Sequence, residues 1–305
     1  MNKHQPRISI GLPVYNGENY ITDAVESILS QSYSDLELLI SDNASNDHTE
    51  EICQDFCHKD PRIKYFRQHK NIGASPNFNH VFNLSTGKYF KWAAHDDVIA
   101  PDYISKCVEV LKRDKNVVLC HTKVERIDPE GQTIEKLEST MDIVYTPYPH
   151  TLFRDLLLKG RENFEIFGMI RANKLRSINP LGGYPGADLV MRAELGLLGK
   201  IVEIPEYLFY SRDHPDRSVR SLRSLHQRAE WFDPQTKGKT IFPYWRILKE
   251  YIGVIQRSPL ETYEKNNCYL LLIRRLGRNF LWMRMILDLI IAIEPKTLEL
   301  IYGKK

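Results

Sequence analysis

Between residues 7 and 124, short apolar runs alternate with amphipathic stretches, which leaves the chain few architectures to choose from. RISIGL (7–12), LELLISD (36–42), IKYFRQ (63–68), YFKWAA (89–94) and VVLCHTKV (117–124) read as strands. ENYITDAVESILSQ (18–31) and TEEICQDFCHK (49–59) read as helices, with two more near 76–85 and 101–113. Strands that alternate with helices need crossover connections, so the expected fold is α/β, a mostly parallel central sheet with helices on both faces. Sheets of that kind bind ligands outside the carboxyl ends of their strands. The loops at those ends are PVYNGE (13–18), DNASNDH (42–48), HKNIGASPN (69–77) and HDD (95–97), each polar, rich in small residues, or both. Any one of them is an ordinary turn, but four in succession point to a site.

The pattern changes near residue 125. DPEGQ (128–132) reads as a turn, residues 133–150 are poorly patterned, and TLFRDLLLKG (151–160) resumes as a helix. The last seventy or so residues are helical in pattern and read as an extension packed on the core. In 305 residues, 42 Lys and Arg stand against 39 Asp and Glu, a surplus too small to argue for nucleic acid. Five cysteines at irregular spacing suit a reducing compartment, with Cys53 and Cys57 read as core thiols because no second ligand pair follows at zinc-like spacing. MNKHQPRISIGL lacks a signal-peptide hydrophobic region, so the expected location is cytoplasmic. NFLWMRMILDLIIAIEP (279–295) is interrupted by Arg284 and Asp288 and is short of the ~20 apolar residues a span needs. Packing on the main domain is the favoured reading of these C-terminal helices, and a peripheral contact with the inner face of a membrane stays open.

KWAAHDDVIAPDYI (91–104) ends an apolar run on two adjacent carboxylates, Asp96 and Asp97. Adjacent carboxylates repel, and a hard divalent cation that shares a bound phosphate would reward them. The competing reading is that one of them caps the helix that follows.

Taken together, PVYNGE, SDNASND, NIG and HDD resemble the family 2 glycosyltransferases, closely over the first 125 residues and more loosely to about 220. The resemblance implies a GT-A (Rossmann-like) fold and a hexosyltransferase-type enzyme. It also implies inverting transfer of a sugar from a nucleotide-diphosphate donor, UDP-sugars favoured, to a hydroxyl of a glycan or lipid-linked acceptor, with Mg²⁺ or Mn²⁺ as cofactor and surface polysaccharide assembly as setting. The implied division is a transferase domain over 1–220, with a nucleotide-sugar half to 125 and an acceptor-side half from 126, and a helical extension over 221–305.

By the same resemblance Pro13, Tyr15, Asn16 and Glu18 wrap the nucleoside, and Asp42 and Asn43 meet the base, although an Asx-turn in DNASND would satisfy Asp42 locally. Asn71 and Gly73 let the backbone approach the donor, or simply form a turn. The family's Asp-x-Asp-Asp element corresponds to Ala94, His95, Asp96 and Asp97, so its first carboxylate is absent. Asp96 is the principal metal and donor ligand on this reading, with Asp97 second and His95 shaping the pocket. Asp188, in GGYPGADLVMRAELGLLGKI, is the expected catalytic base, with Ala187 where the family usually has Glu; a plain helix N-cap is the alternative. In YSRDHPDRS (210–218), Arg212 and His214 would neutralise the leaving group, His214 as a third metal ligand or as a solvated loop residue. A sugar nucleotidyltransferase would want basic residues in the first loop, a dehydrogenase a G-x-G-x-x-G, and neither is present. A non-catalytic nucleotide-sugar or glycan-binding protein is the remaining alternative.

Overall fold

The computed structural model describes residues 7–138, 148–158, 163–222 and 224–293. Among the described residues nine strands form one sheet: β1 (Ile8–Val14), β2 (Leu36–Asp42), β3 (Ile63–Arg67), β4 (Tyr89–Trp92), β5 (Val98–Ile99), β6 (Val117–Ile127), β7 (Thr133–Leu137), β8 (Met169–Arg171) and β9 (Lys200–Arg212). Their order is β3-β2-β1-β4-β8-β6-β9-β5, with β7 added on β6. The β3-β2-β1-β4 half is parallel throughout. Past it, β8 runs antiparallel to both β4 and β6, β6 and β9 are parallel, and β5 pairs antiparallel with the end of β9.

Period-2 patterning explains how the first half is covered. Ile8, Ile10, Leu12 and Val14 of β1 and Leu36, Leu38 and Ile40 of β2 point to one face. There they meet α1 (Ile21–Leu29), α2 (Thr49–Lys59) through Cys53, and, further along the sheet, α4 (Tyr103–Arg113). Leu39, Phe90 and Trp92 point to the other, against α3 (Ala74–Leu84), α6 (Ala172–Arg176) and α7 (Ala187–Leu197). α5 (Pro149–Leu158) adds Leu156 to this second core and Phe153 to a third. The expected α2 and β2 agree residue for residue with those observed, and the last two residues of the expected 151–160 helix lie outside the described residues. β7 falls in the stretch read as unpatterned, and its burial explains why: four of its five residues are exposed, so no apolar alternation marks it.

The C-terminal region is helical: α8 (Ser218–Ser221), α9 (Leu225–Phe232), α10 (Pro243–Arg257), α11 (Thr262–Gly277) and α12 (Leu281–Ile293). Tyr251, Val254 and Ile255 of α10 and Cys268 and Leu272 of α11 close the third core with Phe153 and Leu157 of α5 and Val190, Ala193 and Leu197 of α7. A two-pronged Arg257–Glu194 ion pair, at 2.5 and 2.7 Å, ties α10 to α7. Among the described residues no helix is long and apolar enough to cross a membrane. All five cysteines are free thiols, and burial pushes Cys53 up to about 12, as expected of a core thiol.

Asp288, one of the charges that interrupts the apolar run of α12, has a structural task. α10 begins at Pro243 with no side-chain cap of its own, and Asp288 accepts a hydrogen bond from Tyr244 N at 2.9 Å. Burial pushes its carboxyl from 3.8 up to about 6, against the pull of the Tyr244 and Trp245 N–H groups. The folded chain therefore binds this proton more tightly than the unfolded chain, so stability falls as pH rises from about 4 to about 6 and then levels. Asp288→Asn keeps an acceptor and removes the titration. In urea denaturation across that range the variant is expected to lose a fall of about 3 kcal/mol attributable to this group. An unchanged pH profile would count against it.

Candidate active site

A cleft of about 1700 Å³ opens at the carboxyl ends of β1, β2 and β4. Its walls include Pro13, Tyr15, Asn16 and Glu18 from the first loop, Asn43 from the second, Asn71 from the third, Asp96 and Asp97 from the fourth, and Asp188 and His214 from farther along the chain. The loops are fastened to one another. Asn16 N donates to Ser45 Oγ at 2.9 Å, Asn46 N to Asn16 Oδ1 at 3.0 Å, and Gly17 N to Thr49 Oγ1 at 2.8 Å. Glu18 binds His48 through both its backbone N–H, at 3.0 Å, and its ring Nδ1, at 2.7 Å. Asn43 extends the chain of contacts, donating to Asn71 Oδ1 at 3.0 Å and accepting from Ile72 N at 2.8 Å. These polar side chains satisfy backbone groups that the irregular loops leave without partners, which holds the rim in one shape.

Strand pairing brings in the rest. β5 and β9 register Val98 against Tyr210 and Ile99 against Phe209, so the residues just before β5 meet those just after Tyr210. Asp97 Oδ1 accepts from Arg212 N at 3.0 Å, and Asp96 Oδ2 lies 2.9 Å from His214 Nε2. His214 is 4% exposed and its ring lies 4.7 Å from that of Tyr20. Its Nδ1 is buried with no hydrogen-bond partner in the structure. Burial raises the Asp96 carboxyl, but the His214 hydrogen bond and the nearby His95 and His214 charges prevail and hold it below the ordinary carboxylate value. Asp97 is pushed the other way, to about 7, by burial and by the charge of Asp96.

Asp188 lies in the first turn of α7, whose N-cap is Gly186 at φ 84°, and no side chain caps the helix. The simple N-cap reading of Asp188 therefore does not hold. Its Oδ2 instead accepts from Asn163 Nδ2 at 2.6 Å, and Asn163 Oδ1 is buried without a partner. A buried Arg192–Glu165 pair at 2.6 Å anchors α7 to the turn at Phe164–Phe167 beside Asn163.

Three of the expected residues are not among the cleft lining. Asp42 is fully buried, with Oδ1 taking Ser45 N at 2.8 Å and Oδ2 taking Tyr65 OH at 2.7 Å and Arg67 Nη1 at 2.9 Å. Gly73 sits at φ 89°, and a Cβ there would come within 2.5 Å of Pro234 Cδ and 2.7 Å of Phe232 O, so the close approach it permits is that of the C-terminal extension. Arg212 is 2% exposed and committed to Asp96 O at 3.0 Å, Pro129 O at 2.7 Å and Asp23 Oδ2 at 2.8 Å, with its guanidinium over Tyr20. The arginines that do line the cleft are Arg126, Arg217, Arg220, Arg228, Arg275, Arg278 and Arg284. Of these, Arg217 lies in the YSRDHPDRS segment, three residues past His214.

A family model described as Glycosyl transferase family 2 matches residues 9–178, more than half of the chain. The chain belongs to that family. An uncharacterized glycosyltransferase of Rickettsia typhi is 31% identical over 165 residues, 52% of this chain and 51% of the relative, so the chain spans about half the length of that curated relative. Two solved structures share its fold. The S. aureus protein TarS, in complex with UDP, superposes with a TM-score of 0.63 at 16% identity over 90% of this chain and 72% of its own. The mannosyltransferase PcManGT of Pyrobaculum calidifontis, with GDP-Man and Mn²⁺, gives 0.53 at 14% identity over 96% and 89%. The chain thus has the GT-A fold with a helical C-terminal region, and its family membership weighs against the sugar nucleotidyltransferase alternative.

Proposed function

We propose that this glycosyltransferase is a metal-dependent, inverting enzyme that transfers a sugar from a nucleotide-diphosphate donor, UDP-sugars favoured, to a hydroxyl of a glycan or lipid-linked acceptor in surface polysaccharide assembly. The chemistry belongs to a transferase domain over 1–220, and the extension over 221–305 completes the wall of the cleft. The observation that carries the reading is the meeting of Asp96 Oδ2 and His214 Nε2 at 2.9 Å inside a cleft rimmed by the first three strand-end loops.

That spacing suits a hard cation. Two adjacent ligands of an octahedral ion with bonds of about 2.1 Å stand about 3 Å apart, and a carboxylate with a neutral imidazole is an ordinary donor pair for Mn²⁺. Among the described residues no group of three or more His, Cys, Asp or Glu forms a metal centre by itself. The residues therefore fit an ion that a bound diphosphate would help to hold, with Asp96 and His214 as the side chains that would ligate it and Asp97 beside them. When bound, such an ion supplies Lewis-acid stabilisation of the charge that grows on the diphosphate.

The chain's own groups do the remainder. Tyr15, Asn16, Glu18, Asn43 and Asn71 receive the nucleoside, while Asp42, Gly73 and Arg212 act from behind, holding the loops and the β9 end in place. Arg217 and Arg220 add positive charge at the leaving group. Asp188, oriented by Asn163, takes the proton of the acceptor hydroxyl as its oxygen bonds to the anomeric carbon. The bond to the diphosphate breaks on the opposite face, its electron pair leaves with the diphosphate, and configuration inverts. UDP in TarS and GDP-Man with Mn²⁺ in the mannosyltransferase support this donor class and this cation.

A thermal-shift panel of UDP-, GDP- and dTDP-sugars, each with and without Mn²⁺, tests it, because a ligand that binds only the folded state raises apparent stability. The largest shift is expected with a UDP-sugar plus Mn²⁺. Equal shifts with and without the ion would count against metal dependence, and a shift confined to GDP- or dTDP-sugars against the donor preference.

A further inference from the structure

α12, LWMRMILDLIIAI, is apolar on more than one side. Met285, Asp288 and Ile291 are buried against the rest of the extension. The opposite side carries Trp282, Met283, Ile286, Leu289, Ile290 and Ile293, which are between 43% and 85% exposed. A helix that is hydrophobic all round is stable when both sides are covered, and here one side is not. α11 and the turn that follows extend the same character, with Leu270, Ile273 and Phe280 each more than 60% exposed.

Among the described residues from Leu270 to Ile293 the exposed charges all have one sign. From Leu270 to Ile293 the chain holds Arg274, Arg275, Arg278 and Arg284, and its sole acid, Asp288, is 3% exposed and engaged by α10. Arg274, Arg278 and Arg284 are exposed. A two-fold contact with a second copy would place the same patch on both partners, setting these arginines against each other with no exposed acid in that described stretch to meet. An occupant that offers both hydrocarbon and negative charge fits both features, and Trp282 is the type of side chain that settles between them.

We propose that the outer face of α12, with the end of α11, is a monotopic docking surface for an anionic lipid bilayer. The apolar side chains enter the acyl boundary and the arginines meet lipid phosphates. Arg278, Leu281 and Arg284 also line the cleft, so docking sets one wall of the cleft beside the bilayer surface. A lipid-linked acceptor could then reach the cleft without leaving the membrane.

The test is co-sedimentation of the full chain with phosphatidylcholine vesicles made with and without phosphatidylglycerol. Binding is expected to the anionic vesicles, weakening as salt is raised. The combined variant Trp282→Gln, Ile286→Gln, Ile290→Gln should lose at least about tenfold in partitioning. Each of Arg274→Gln and Arg278→Gln should lose about fivefold. An unchanged donor-induced thermal shift in the triple variant shows that it is folded. Equal partitioning to neutral and anionic vesicles, or none to either, overturns the proposal. So does a dimer in light scattering that the triple variant converts to monomer, which would make the face a contact between copies.

Discussion

Asp188→Asn is expected to lower kcat for sugar transfer by about 10²- to 10⁴-fold while donor affinity changes little, the signature of losing a group that acts on the acceptor proton rather than on donor binding. The substitution is nearly isosteric. It leaves α7 anchored by the Arg192–Glu165 and Arg257–Glu194 pairs, so collapse of the helix cannot account for the loss. It also replaces an acceptor of the Asn163 Nδ2 hydrogen bond with an amide that can rotate to keep that contact. Donor affinity from calorimetry and turnover with saturating acceptor separate the two effects. Should Asp188→Asn retain more than about a tenth of wild-type turnover, proton abstraction rests elsewhere.

The second large effect is expected at Asp96. Asp96→Ala should abolish the Mn²⁺-dependent part of donor binding, so that the thermal shift with a UDP-sugar plus Mn²⁺ falls to the level seen without the ion, and transfer should drop by at least about 10²-fold. Of the pair only His214 remains, and Asp97, whose Oδ1 is taken by Arg212 N at 3.0 Å, is not free to replace Asp96 as the carboxylate a hard cation needs. Loss of the 2.9 Å contact to His214 leaves the Asp97 to Arg212 N bond that fastens β5 to β9, so the unliganded variant should melt close to the wild type. A metal-dependent shift that survives in Asp96→Ala would move the cation site away from this pair.

The parallel half of the fold was legible because its elements are local. The alternation of Ile8, Ile10, Leu12 and Val14, the polar loop after each strand and the amphipathic helix that follows each declare themselves within about a dozen residues. The second half was less so, since its order depends on pairings across long separations. Nothing near Asp96 announces that β5 will register against Phe209 and Tyr210 and deliver His214 to it. The expectation for His214 came from resemblance alone.

The same distinction runs through the site. Arg212 and Arg217 look alike in YSRDHPDRS, yet Arg212 is consumed by Asp96 O, Pro129 O and Asp23, while Arg217 lines the cleft. Only the packing of the 128–132 turn and α1 against β9 separates them. Asn163 had no sequence signal, because its importance lies in one contact to Asp188, 25 positions away. Gly73 was read as a place where the backbone approaches a donor, whereas the atoms a Cβ there would meet belong to Phe232 and Pro234, which no local pattern could reveal.

The most direct measurement is anomalous diffraction at the Mn absorption edge from crystals of the full chain grown with UDP and Mn²⁺. A single strong peak is expected about 2 Å from both Asp96 Oδ2 and His214 Nε2, with diphosphate oxygens completing its shell. A peak that touches neither side chain, in crystals where UDP is plainly bound in the cleft, would contradict the assignment of the cation to this pair.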